Sequence, residues 1–121
     1  MAVDLLDEVG ATISRVAGIE GQFLSVISWL ELEAGVYRDD TKSMRRRIRL
    51  DVFLKQVEVL DFTSREVASY SSIIAANGFS RRLVSDRMIA ATAITYGLTL
   101  ATLNPRDFRN IAGLTIEDWS H

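Results

Sequence analysis

The sequence predicts an α/β protein with a central, mostly parallel β-sheet and helices on both faces. Two observations carry that expectation. Short apolar runs of strand length, Phe23–Ile27, Val57–Leu60 and Leu98–Thr102, alternate with longer segments of helical apolar spacing. Alternation of this kind is satisfied by crossover connections that cover a parallel sheet on both sides. Helix-start and helix-stop residues also fall in the intervals between the runs.

Taken in order, Leu5, Leu6, Val9, Ile13 and Val16 recur at helical spacing, predicting a first helix from Val3 to about Val16. Gly18 and Gly21 interrupt it, and Phe23–Ile27 reads as a buried parallel strand. Ser28 then reads as an N-cap for a helix reaching about Arg38. Asp39, Asp40 and Thr41 restart a helix carrying Met44, Ile48, Val52 and Phe53. Val57–Leu60 is a second strand. Thr63-Ser64-Arg65-Glu66 has the capping-box pattern for a helix from Ser64 to about Ala76, which Asn77-Gly78 stops. A small-residue helix from Ser85 to Tyr96 ends at Gly97, and Leu98–Thr102 forms a strand. Pro105, favoured at a first helical position, opens a last turn. Leu114–Ile116 reads as an edge strand. With no repeat, linker or low-complexity tract, residues 1–121 read as one domain.

Composition narrows the chemistry. At 121 residues, 48% hydrophobic and 25% charged, the chain has the make-up of one ordinary globular domain. No apolar run approaches the roughly 18 residues of a membrane span, and the acidic N-terminus does not resemble a secretory leader. A cytoplasmic location and no membrane partner are expected. There is no cysteine, and the single histidine is His121. Disulfides, thiolate sites and Ser-His or Cys-His nucleophiles are thereby excluded. A metal here would be held by oxygen, which suits Mg²⁺ or Mn²⁺.

Three acids stand at strand ends or helix starts: Glu31, Asp86 and Asp107. In a parallel sheet those places converge at the carboxyl edge, where such folds put their sites. Hydrolysis of a phosphodiester with a hard divalent ion needs several converging carboxylates. Each acid also has an ordinary structural reading. Glu31 completes a capping box with Ser28, Asp86 complements a helix dipole, and Asp107 follows the Asn104 cap. Among basic residues, Arg45, Arg46, Arg47 and Arg49 form one cluster, Arg81 and Arg82 another, and Arg106 and Arg109 flank Asp107. The first cluster reads as a solvated helix face.

The ordered pattern Glu31-Leu32…Gly35, Asp86…Ile89-Ala90-Ala91…Ala93 and Thr102…Asn104…Asp107-Phe108 resembles the PIN-domain ribonucleases. Within them it is similar to the VapC toxins of bacterial toxin–antitoxin pairs, over roughly residues 22 to 119. The resemblance implies a three-layer α/β sandwich and a Mg²⁺- or Mn²⁺-dependent endoribonuclease silenced by a cognate antitoxin, acting on RNA and often dimeric. By analogy Glu31, Asp86 and Asp107 would be the catalytic metal ligands, and Thr102 and Asn104 would orient the site or touch substrate. Arg106 and Arg82 become candidate contacts to RNA phosphates.

The chain departs from the family at its start. Family members open with an apolar strand ending in an aspartate, the first metal ligand. Here Leu5-Leu6-Asp7 mimics that motif only superficially, because too few residues separate Asp7 from Glu31 and the spacing around Asp7 is helical. The opening strand and its aspartate are therefore expected to be missing, which puts activity in doubt. Two functions compete: the endoribonuclease toxin, and a catalytically impaired PIN-like domain that binds an antitoxin or dimerises. The second would use a groove between the Ser28–Arg38 and Asp40–Lys55 helices, lined by Trp29, Leu32, Val36, Tyr37, Ile48 and Val52, although such residues also suit plain core. The net charge of −2 and the lack of an aromatic stacking platform argue against a dedicated RNA-binding module.

Overall fold

The computed structural model describes residues 23–102 and 104–118. The predicted helix Val3–Val16, Asp7 and the expectation that an opening strand is missing all concern residues outside the described ones. Strand β1 (Phe23–Ser25) leads directly into helix α1 (Val26–Val36). A single 3-10 turn (Asp40–Lys42) precedes α2 (Ser43–Leu54), followed by β2 (Glu58–Leu60) and α3 (Ser64–Asn77). A second 3-10 turn (Arg81–Leu83) enters α4 (Val84–Tyr96), then come β3 (Leu100–Thr102), a 3-10 turn at Pro105–Phe108, and β4 (Ile116–Asp118).

All described strand pairing is parallel, as the alternation predicts. Phe23 to Ser25 run opposite Glu58 to Leu60, and Leu100 to Thr102 run opposite Ile116 to Asp118. Among the described residues the strands form two parallel pairs. The pairs are neighbours: Phe23 and Ser25 of β1, Leu60 of β2 and Leu100 of β3 line one small cavity, closed by Ile89 and Thr92 of α4. The last strand is Ile116–Asp118, two residues further on than the apolar run Leu114–Ile116 suggests.

The first strand is shorter than its apolar run because Ser25 ends it. Ser25 keeps an extended backbone, and its Oγ accepts the backbone N–H of Ser28 at 2.9 Å, so Ser25 is the N-cap of α1. Ser28 is then the third helical residue, and its buried hydroxyl accepts from Ser25 Oγ at 2.9 Å. Glu31 therefore lies beyond the reach of a capping box.

Helices α1 and α2 form an antiparallel pair over a core of Leu24, Leu32, Val36, Leu50 and Phe53, with Trp29 packed against it. The arginine run does not behave as a solvated face. Arg46 is only 9% exposed and donates to the Gly35 carbonyl at 3.1 Å, satisfying an acceptor at the end of α1. Arg47 grips Glu33 with both terminal nitrogens at 2.6 and 3.0 Å and reaches Asp51 at 2.6 Å, while Trp29 Nε1 donates to Glu33 Oε2 at 3.0 Å. Two of the four arginines thus tie α2 to α1.

Helix α3 starts as predicted. Thr63 and Glu66 form a complete capping box, with the Thr63 N–H donating to Glu66 Oε1 at 2.6 Å. Gly78 and Gly97 follow α3 and α4 at φ of 83° and 68°, conformations that a Cβ disfavours. Helix α4 buries Ile89, Ala90, Ala91 and Ala93 in a second core with Ile27, Ile73, Leu100, Phe108 and Ile111. Its alanines allow a close approach to α3. The two helices are also joined by Ser69 to Thr95 at 2.8 Å and by the Arg65 guanidinium 5.3 Å from the centre of the Tyr96 ring.

Two outcomes follow from these local devices. Thr63→Ala should destabilise the fold by about 1 kcal/mol, seen as a lower urea midpoint with an unchanged slope. The hydrogen bond from Arg47 holds the Glu33 carboxyl below its ordinary value of 4.5. A depressed carboxyl stabilises the fold above that ordinary value, and the contribution is lost as pH falls through the depressed one. The gap in urea midpoint between the wild type and Glu33→Gln should therefore be open at neutral pH and close as pH falls from 4.5 through the depressed value; a gap unchanged in acid would contradict the assignment.

Candidate functional site

The three acids reach the structure in different settings. Glu31 sits half-buried on α1. Asp86 is the third residue of α4 and only 4% exposed. No side chain caps that helix at Leu83, and Asp86 is the acid of its first turn. Asp107 lies in the turn after β3. Its backbone N–H donates to the Asn104 carbonyl at 3.3 Å. Its Oδ2 accepts Asn104 Nδ2 at 2.6 Å, and its Oδ1 accepts Arg82 at 3.4 Å.

Thr102 and Asn104 belong to the same hydrogen-bonded turn. Thr102, buried at the end of β3, accepts the Asn104 N–H on its Oγ1 at 2.9 Å. Thr102, Asn104 and Asp107 are thus linked in series, with Pro105 at the first position of the turn. The motif makes its own scaffold before any ligand is considered.

Helix α4 packs against both α1 and the Pro105–Phe108 turn, so the elements bearing the three acids share a neighbour. Among the described residues no group of three or more acids or histidines is placed to hold a metal ion. Both oxygens of Asp107 already accept from a guanidinium or an amide. As arranged, the described residues do not offer a divalent cation the converging carboxylates that its charge requires.

What the turn does line is basic. Arg82, Arg87, Arg106 and Arg109 surround Asp107 and Asn104 in an open cleft of about 470 Å³, with Leu83 and Ile111 as its apolar wall. Arg87 is buried, and its Nη1 donates to the Gly78 carbonyl. Sequence reasoning singled out the other three arginines and missed Arg87. The available signal was its place directly after Asp86, one helical step from an acid already marked.

The α1–α2 groove splits on inspection. Leu32 and Val36 are core, whereas Tyr37, Ile48 and Val52 face solvent. On α2, Met44, Ile48 and Val52 are 77%, 59% and 51% exposed and follow each other at i, i+4, i+8. They form an apolar stripe on the side opposite Arg46, Leu50 and Phe53. Among the described residues no helix is long and apolar enough to cross a membrane.

Comparison with known proteins places this architecture. The family model of the PIN domain matches residues 4–114. Ribonuclease VapC1 of Rickettsia felis is 36% identical over 102 residues, covering 78% of this chain and 73% of that protein. The tRNA(fMet)-specific endonuclease VapC of Shigella flexneri is 29% identical over 99 residues, covering 80% and 74%. Among solved structures, VapBC2 from Rickettsia felis, bound to a DNA fragment from its promoter, superposes with a TM-score of 0.69 at 30% identity, over 80% of this chain and 74% of that one. The parallel strands flanked by helices agree with these solved relatives, and the chain belongs to the PIN-domain family, within its VapC-like toxin–antitoxin branch.

Proposed function

We propose that this chain works chiefly through a protein interface, as a VapC-like PIN domain that binds an antitoxin. The observation that carries the reading is the outward stripe of Met44, Ile48 and Val52 on α2. Apolar side chains stacked on the solvent side of a helix gain nothing from the fold that presents them, and an amphipathic partner helix laid along them removes that surface from water. Leu30 on α1 and Tyr37 just after it, both exposed, extend the apolar character of the hairpin. Relatives solved as VapBC complexes at 30% identity support an antitoxin as the occupant.

A second reading, the Mg²⁺- or Mn²⁺-dependent endoribonuclease, draws support from the order of the three acidic motifs and from the nuclease names of the relatives. In it Glu31, Asp86 and Asp107 would be the metal ligands, with Thr102 and Asn104 orienting the site. The interface reading is preferred because the two donors on Asp107 compete with any cation for its oxygens.

The test is co-purification with the cognate antitoxin. Ile48→Asp, and separately Met44→Asp, should reduce recovery of the complex at least tenfold while leaving the circular dichroism of the free chain unchanged, since both side chains are already in water. Full recovery of the complex by both variants would overturn the proposal. So would light scattering that finds the wild-type stripe closed by a second copy of the chain and not by the antitoxin.

A further inference from the structure

We propose that Asn77 is a site of spontaneous deamidation, and that its product opens the corner in which α3 ends. The inference is independent of the antitoxin reading, which concerns α2. Sequence selects the residue. The chain has three asparagines, Asn77, Asn104 and Asn110. Deamidation requires the backbone nitrogen of the next residue to attack the asparagine side-chain carbonyl carbon. Asn104 precedes Pro105, whose ring nitrogen carries no N–H to surrender. Asn110 precedes Ile111, whose branched and buried side chain crowds the attack. Asn77 precedes Gly78, which has no Cβ to obstruct the approach or restrict the backbone.

The reaction needs only water. The Gly78 nitrogen forms a bond to Asn77 Cγ while the bond from Cγ to Nδ2 breaks. Nδ2 leaves as ammonia and carries the Gly78 amide proton with it. Water then opens the resulting cyclic imide at either of its carbonyl carbons, giving aspartate or isoaspartate in place of asparagine. Asn77 is exposed, and no heavy atom stands within 4 Å of where a Cβ on Gly78 would be, so water has access.

The native corner holds that reaction back. Gly78 donates its N–H to the Ile74 carbonyl at 2.7 Å, so the attacking nitrogen is engaged in closing α3. Asn77 Nδ2 donates to the Asn110 carbonyl at 3.0 Å, which fixes the amide that must turn. The Gly78 carbonyl accepts from Arg87, buried in the first turn of α4. One corner thus joins the end of α3, the start of α4 and Asn110, itself held at a φ of 66°. The product works against the same corner. Its carboxylate replaces the amide donor and faces the Asn110 carbonyl as a second acceptor, so that bond is lost. It also places negative charge at the C-terminal end of α3, where the helix dipole disfavours it. Isoaspartate further lengthens the backbone by one carbon. The corner restrains the reaction until it opens, and the reaction then keeps it open.

The experiment holds the full native chain in mildly alkaline buffer, beside the same chain in concentrated urea, and follows the masses of its proteolytic peptides with time. In urea the peptide containing Asn77 should be the first to gain the mass difference between an amide and an acid, ahead of those containing Asn104 and Asn110. In the native chain the same gain should be at least about tenfold slower, because the corner must open first. Deamidated chain and Asn77→Asp, its aspartyl equivalent, should both unfold at a lower urea midpoint than the wild type. A first gain at Asn104 or Asn110 in urea, equal rates in the native and unfolded chains, or an unchanged midpoint in both the deamidated chain and Asn77→Asp would overturn the proposal.

Discussion

The organisation of this domain depends on how closely α4 can approach its neighbours. Ala90, Ala91 and Ala93 are buried, and with so little side chain between the backbones α4 lies against α3, α1 and the turn that follows β3 at once. A leucine at any of these positions would add three carbons to a packed interior, and overpacking of that kind typically costs about 1–3 kcal/mol. Because α4 occupies this central place, its first turn carries Asp86 into the interior and Arg87 beside it into the basic cleft. Packing, function and charge placement meet in one helix.

Much of this was legible locally. The capping box at Thr63–Glu66 and the positive-φ glycines after α3 and α4 depend on neighbours in sequence, and they form as expected. The start of α1 was not, since Ser25 and Ser28 are both good caps and the choice between them rests on what the buried β1 strand leaves exposed. In the arginine run Arg45 and Arg49 are exposed as a solvated face requires, and Arg46 and Arg47 depart from it for a similar reason. Arg46 looks like any surface cation until the Gly35 carbonyl, eleven residues away, is seen to need a donor. Helical spacing on α2 groups Met44, Ile48, Val52 and Phe53, but periodicity has no sign: Phe53 joins Arg46 and Leu50 in the core, and the other three face outward.

The site shows the same division. Asn104 and Asp107 are three residues apart, and their hydrogen bond is a property of the motif. Arg82 is 25 residues away in sequence, and its contact with Asp107 arises only from the fold. That long-range contact changes the meaning of the acid. A carboxylate read in isolation shows no partner, whereas in the fold Asp107 is shared between an amide and a guanidinium. Family membership and the exposed stripe of Met44, Ile48 and Val52 then describe a PIN domain with an apolar face turned outward on α2.

The most direct test of this account follows the methyl resonances of Met44, Ile48 and Val52 in the isotopically labelled chain as cognate antitoxin is added. The account predicts that these three shift or broaden together while the buried methyls of Leu50 and Ile89 keep their positions. Antitoxin binding that leaves all three α2 methyls unmoved would contradict it.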